Sequence, residues 1–163
     1  MGDTNKPKIG HGPYLSVHVC MDSPAATILL NTTFGEGLRL MEEGRHRRFV
    51  VVDDKRRLKG MVTELDLKQA LPSPVNSLNK WELKYLISHI PVKDIMTEQV
   101  ITTTPDATIE SAASLMIDQK ISGLPVVDKG GRVLGIITMT KIVQTLFGHL
   151  AGCDCFKSDS LFQ

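Results

Sequence analysis

Four basic residues in a row, Arg45-His46-Arg47-Arg48, stand directly before the apolar run Phe49–Val52. Two readings are open for Arg47 and Arg48, a functional pair and a solvated basic edge. A second cluster, Lys55-Arg56-Arg57, lies at the far end of that run. Five extended residues span about 17 Å, more than a Debye length at physiological salt, so the clusters act separately and the second reads as a solvated turn. Thr63-Glu64-Leu65-Asp66 places a hydroxyl three residues ahead of a carboxylate where a helix is expected to begin. Taken alone, Asp66 reads as a negative charge against the positive end of the helix dipole. Cys153 and Cys155 form a C-x-C pair whose nearest helper is His149. Two thiolates and one imidazole make a poor closed metal site, so the pair reads as inert. Cys20 falls in an apolar stretch and reads as a small packed side chain. No P-loop, G-x-G-x-x-G, H-E-x-x-H or G-x-S-x-G occurs, and the five histidines have no partnered nucleophile, which argues against an enzyme and names no catalytic residue.

The elements that must position these groups are most legible in Ile121–Leu146. The apolar run Leu124–Val127 ends at Asp128, Lys129-Gly130-Gly131 tolerates a tight turn, and Val133–Ile137 returns as a second run. Ile142, Val143, Leu146 and Phe147 then recur at helical spacing. Both strands are apolar on consecutive residues, so both faces need cover, and this unit cannot close a core alone. Its counterpart lies 75 positions upstream, the offset between Met21 and Met96. Running forward without a gap, that offset superposes Thr33 on Thr108, Val51-Val52-Asp53 on Val126-Val127-Asp128, Gly60 on Gly135 and Thr63 on Thr138. An ungapped match of this length marks a duplication, in which two similar units bury their open faces against each other.

Composition agrees. The chain has 163 residues, a formal net charge of +1 and 5% aromatics, which points away from nucleic acid. No apolar run approaches the length of a membrane span, and Met1–Pro13 is polar and Gly/Pro-rich, unlike a signal peptide. Lys6 stands where myristoylation needs Ser or Thr, so a cytoplasmic location is expected.

In chain order, residues 1–14 read as an arm and 15–72 as the first repeat. Tyr14–Leu30 is expected to be extended, with a short strand at Thr27–Leu30. Thr33 offers an N-cap to a helix with a Phe34, Leu38, Met41 stripe, despite Gly35 and Gly37. Strands are expected at Phe49–Val52 and Leu58–Val62, and a helix at Glu64–Leu71. Residues 73–91 read as a linker, opened by PSPVNS and carrying a helix at Trp81–Ile90 with an Asn79/Glu82 capping box. That apolar helix needs cover, from its own repeat or from a second copy. The second repeat, 92–147, should contain a strand at Val100–Thr104 and a helix at Ile109–Gln119 with Ile109, Ala112, Ala113, Met116 and Ile117 inward. Residues 148–163 read as a tail.

The segments VKDIMTEQVITTTPDATIESAASLM and SGLPVVDKGGRVLGIIT, with VVVDDKRRLKGMVTELDL in the first half, resemble the CBS domain, and the tandem arrangement resembles a Bateman module. The linker WELKYLISHIPVKDIMT is similar to small stand-alone CBS-pair proteins of the acetoin-utilisation type. The resemblance implies an α/β (α+β) fold of two βαββα units packed through their sheets as a pseudo-twofold pair, with two clefts between them. It also implies a homodimer and binding of an adenosyl small molecule: AMP, ADP, ATP or S-adenosylmethionine, as a ligand and not a catalytic cofactor. In the family a Ser/Thr-x-x-Asp at the strand-to-helix junction holds the ribose, which maps onto Thr63 and Asp66. Basic residues before the hairpin meet phosphate, here Arg47 and Arg48, and base contacts map onto Val92, Lys93, Ile121 and Ser122. The second cleft would use Thr138, Lys141, His18, His46 and Arg47. Lysine has donors only and cannot accept from a ribose diol, so the two clefts should differ. A regulatory, energy-sensing module signalling to an effector in trans is the resulting expectation; a ligand-independent oligomerisation or docking module is the alternative.

Overall fold

The computed structural model describes residues 15–70 and 79–150; the expected arm, the PSPVNS segment of the linker and the Cys153/Cys155 pair of the tail lie outside them. The first repeat contains helix α1 (Val17–Cys20), strand β1 (Thr27–Leu29), helix α2 (Phe34–Gly44), strands β2 (Arg48–Val52) and β3 (Leu58–Thr63), and helix α3 (Glu64–Gln69). Helix α4 (Lys80–His89) leads to a 3-10 turn at Val92–Asp94. Helix α5 (Ile109–Asp118), strands β4 (Gly123–Val127) and β5 (Val133–Thr138) and helix α6 (Met139–Leu150) complete the second repeat. This is the mixed α/β pair that the duplication implied. Thr33 caps α2 by accepting from the Glu36 N–H, and Asn79 and Glu82 form the expected capping box on α4.

Strand β2 pairs parallel with β1 and antiparallel with β3, while β4 pairs antiparallel with β5. The expected strand at Val100–Thr104 is reduced to one parallel bridge, Thr103 with Val126. Pro125 is the reason. In the first repeat the Val50 N–H donates to the Ala26 carbonyl at 3.0 Å. Pro125 occupies the equivalent position and has no N–H to give Ile101, so the ladder stops there.

The two repeats exchange their lead-in segments. Val17 and Cys20, expected in an extended stretch, instead share one face of α1 and are buried with Ile109, Met116 and Ile137 in the core of the second repeat. Val92 is buried in the core of the first, with Phe34, Met41 and Leu67. The backbone bridges Asp22–Ile136 and Met61–Thr97 repeat this exchange at the sheets, each member 75 residues from its counterpart. The Arg57–Arg132 bridge joins two equivalent residues and so marks the pseudo-twofold axis. Around it Ala25, Val50, Val52, Val133 and Ile136 form a third core cluster where the sheets meet. Close approach explains Gly60 and Gly135. A Cβ on Gly60 would lie 2.8 Å from the Thr97 carbonyl oxygen, and one on Gly135 2.7 Å from that of Asp22.

One apolar expectation fails at the surface: Ile117, expected inward, is 67% exposed, and Phe147 of the second repeat is exposed too. Trp81 on α4 is 80% exposed, so at that residue the cover this helix needs does not come from its own repeat.

Candidate functional site

Strand β3 ends at Thr63 in extended conformation, and the chain turns there into α3. The Thr63 N–H and hydroxyl both donate to Oδ2 of Asp66, each at 2.7 Å, and the Asp66 N–H donates back to the Thr63 hydroxyl at 3.2 Å. This capping box does two things. It spends the hydroxyl proton of Thr63 inside the protein, so Thr63 orients Asp66 and has no donor left for a ligand. It also fixes the rotamer of a half-buried carboxylate whose Oδ1 takes no part in the box.

Arg48 stands opposite Thr63 in the β2–β3 register, and opposed residues project to the same face of a sheet. Its guanidinium crosses to the second repeat, where Nη2 donates to the Ser122 hydroxyl at 3.0 Å. A Cβ on Gly123 would run into Arg48 Nη1, so the glycine makes room for the arginine. Burial, and secondarily the neighbouring Arg47 charge, hold the Arg48 pKa below the usual guanidinium range. A partly desolvated cation whose described side-chain partner is a neutral hydroxyl leaves its charge uncompensated.

The other expected residues separate into three groups. Ile121, half-buried, and Ser122, exposed, lie just ahead of β4, and Ser122 is in contact with Arg48. Lys93 is exposed, whereas the Val92 side chain is fully buried and its N–H donates to the Thr32 carbonyl, so Val92 has no apolar surface to offer a base. Arg47 and His46 diverge from Arg48. With Leu38, Met41, Glu42 and Glu64 they line a cavity of about 370 Å³ whose walls all come from the first repeat. Neither arginine pair nor second-cleft grouping therefore survives intact for Arg47 and His46. Glu64, on this wall, has its carboxyl held below the usual range by Lys68, with Arg47 adding to it.

In the second repeat Thr138 caps α6 by accepting from the Lys141 N–H at 3.2 Å, but no carboxylate reciprocates. Lys141 Nζ instead reaches Asp22 Oδ1 at 2.9 Å. Lys141 thus has a carboxylate partner that the sequence reading did not assign to it. His18 is exposed on α1. Asp22 and Gly123 were not legible as site residues; the only signal for either was the 75-residue offset, which sets Asp22 against Thr97 and Gly123 against Arg48. Among the described residues no cluster of three or more His, Cys, Asp or Glu could hold a metal, and no helix is long and apolar enough to cross a membrane.

Comparison with known proteins matches the CBS domain model twice, over residues 16–73 and 92–148. A CBS domain-containing protein of Dictyostelium discoideum is 34% identical over 127 residues, covering 77% of this chain and 87% of the relative. Other curated relatives are longer: the chain spans 21% of a homoserine O-acetyltransferase of Methanohalobium evestigatum. Among solved structures, the CBS domain pair of protein MJ0100, in complex with 5'-methylthioadenosine and S-adenosyl-L-methionine, superposes with a TM-score of 0.69 at 26% identity, over 84% of this chain and 99% of that one. CBSX2 of Arabidopsis thaliana, in complex with AMP, gives 0.69 at 28% identity, over 83% and 98%. A putative acetoin utilization protein of Vibrio cholerae gives 0.70 at 28%, over 85% and 94%. Two matched repeats, the exchanged lead-ins and these superpositions together place the chain in the CBS-domain family, as a tandem pair.

Proposed function

We propose that the chain is a non-catalytic regulatory module that binds an adenosine-containing ligand at the seam where Asp66 and Arg48 face the second repeat. The observation that carries this reading is Arg48: a half-buried cation held across the seam by Ser122, on the same sheet face as the Thr63–Asp66 box. A phosphate would supply its missing charge, and Oδ1 of Asp66 would accept from a ribose hydroxyl. Ile121 and Ser122 border the seam and would meet the base. The adenosyl ligands held by the CBS pairs of MJ0100 and CBSX2 support the ligand class. AMP, ADP, ATP and S-adenosylmethionine are the members to test. With the ligand acting as a signal, the response passes to an effector in trans or through a homodimer.

Calorimetry of D66A tests the assignment. Loss of a hydrogen bond to a charged acceptor should cost about 1.5–3 kcal/mol of binding, roughly 10- to 150-fold in affinity. Unchanged affinity for all four ligands would remove Asp66 from the site.

The exposed Ile117 and Phe147 favour a second reading, a docking or oligomerisation module indifferent to nucleotides. An unshifted melting temperature across millimolar adenosyl ligands would decide for it, because a ligand selective for the folded state must stabilise by mass action.

A further inference from the structure

We infer that the two hairpin turns meeting on the pseudo-twofold axis form a cationic surface that docks an acidic segment, rich in aspartate and glutamate, of a partner protein. This surface lies at the opposite end of β3 from Thr63 and Asp66, so it does not depend on the adenosyl reading. The first turn carries Lys55, Arg56 and Arg57 and the second Lys129 and Arg132, all exposed. The Leu58 N–H donates to the Gly131 carbonyl and the Val133 N–H to the Arg56 carbonyl, each at 3.0 Å. Those bonds flank Arg57 and Arg132, so the two arginines form the narrow, non-hydrogen-bonded kind of antiparallel pair, with Cα atoms about 4.5 Å apart. Like charges directly opposite each other destabilise a strand pair. Among the described residues no carboxylate forms an ion pair with any of these five cations. The turn carboxylates are engaged elsewhere: Asp53 Oδ1 accepts from the Lys55 and Arg57 N–H groups and its Oδ2 lies against Lys59, while Asp128 Oδ1 accepts from the Gly130 and Arg132 N–H groups. Counting Lys59, six cations stand here against three carboxylates, Asp53, Asp54 and Asp128.

Arg56 points the same way. Its φ of 60° lies in the left-handed region that favours glycine, and its equivalent in the second turn is Gly131, with φ 75°. The first repeat thus keeps a guanidinium where the backbone prefers no side chain, and the twin turn shows that the fold does not require it. Strain kept where the fold does not need it points to function. The partner's class follows from what surrounds the cations. None of the exposed large apolar residues lies on either turn, which leaves nothing to insert into a lipid surface. A nucleic-acid backbone presents phosphates at fixed spacing, close to Asp53, Asp54 and Asp128 as well as to the cations. A peptide can set its carboxylates on the guanidiniums, two oxygens at a time, and place uncharged residues opposite those three aspartates.

The probe is a labelled peptide of alternating glutamate and glycine, followed by fluorescence anisotropy on the full chain, with its glutamine counterpart, random-sequence duplex DNA and phosphatidylserine vesicles run beside it. The glutamate peptide should bind and the glutamine peptide should not, with affinity falling as salt rises. R57Q/R132Q should weaken binding about 2- to 30-fold and R56G about 1.5- to 5-fold. R39A, which removes an exposed cation of α2, and D66A should bind the peptide as the wild type does. R57Q/R132Q and R56G should melt no lower than the wild type, because the first removes opposed like charges and the second a left-handed arginine. Absence of peptide binding, or unchanged affinity in R57Q/R132Q, overturns the inference. A lower melting temperature in either variant makes those side chains structural and overturns it too. Tighter binding of DNA or vesicles than of the peptide, lost in R57Q/R132Q, overturns the choice of partner.

Discussion

The two repeats share what the backbone requires and differ in what crosses the seam. Gly60 and Gly135, Thr63 and Thr138, and Asp53 and Asp128 are identical pairs at the offset of 75, and each member does the same local task as its mate. Asp53 accepts from the Lys55 and Arg57 N–H groups, and Asp128 accepts from those of Gly130 and Arg132. Against these stand three unlike pairs: Arg48 with Gly123, Asp66 with Lys141, and Thr97 with Asp22. These pairs supply two direct side-chain contacts: the Arg48–Ser122 bond between the repeats, and the Lys141–Asp22 ion pair between the second repeat and the lead-in docked on it. Duplication thus sorts the residues without reference to any relative. Among these six pairs, the ones held alike serve the backbone, and the ones that diverge include the side chains of both contacts.

The sharpest way to break this division is at the shared glycines. A methyl on Gly60 or Gly135 meets a backbone carbonyl of the exchanged lead-in, which cannot swing aside as a side chain can. G60A and G135A should each cost about 1–3 kcal/mol in denaturant unfolding, by similar amounts. A large loss in one and none in the other would show that the repeats do not depend equally on the exchange.

The caps come next, and here the repeats should separate. T63A removes a reciprocal box in which Asp66 bonds back to the cap, whereas T138A removes a single bond to the Lys141 N–H. T138A is expected to cost about 0.5–1 kcal/mol and T63A about 1–2 kcal/mol. Equal losses would mean that Asp66 adds nothing to its helix and is held for another reason.

Gly123 looks like Gly60 in sequence but is a different case. The atom a methyl would meet belongs to the far end of Arg48, which can move away. G123A should therefore leave stability within about 0.5 kcal/mol of the wild type. It should nevertheless displace Arg48 from Ser122 and weaken adenosyl binding as R48A does. A stable G123A with full affinity would separate the arginine from the site.

The sequence carried the fold further than the site, and the reasons lie in particular residues. Apolar runs, the Asp-initiated turns and the fixed offset placed most hairpins and helices, because these depend on neighbours in the chain. The Val100–Thr104 strand failed because its ladder depends on a proline 24 residues away, Pro125, whose missing N–H acts only through pairing. Val17–Cys20 became a helix because its apolar pair is buried in the other repeat, a fact no local pattern contains. The place of Asp66 at the start of α3 was legible from its motif. The divergence of Arg47 from Arg48 and the partnership of Lys141 with Asp22 were not: the first turns on which way neighbouring residues face at the mouth of β2, the second on the lead-in being docked against the other repeat.

The smallest expected effect lies in the hairpin turns and distinguishes twins. Lys59 stands 3.5 Å from Asp53, whereas the position equivalent to Lys59 in the second repeat is Leu134. Backbone donation from Arg57, then that from Lys55 and the Lys59 charge, holds the Asp53 carboxyl below the usual aspartate range. A carboxyl with a depressed folded pKa contributes stability above its unfolded value. That contribution starts to fade as pH drops past roughly 4 and is gone below the folded value. The melting temperature of D53N should therefore lie slightly below wild type at neutral pH, and the two curves should converge in acid. K59L should narrow the neutral-pH gap by removing the one partner that the second turn lacks. A gap that stays constant from neutral to strongly acidic pH would show that the Asp53 charge plays no part, leaving the two turns equivalent in electrostatics as well as in shape.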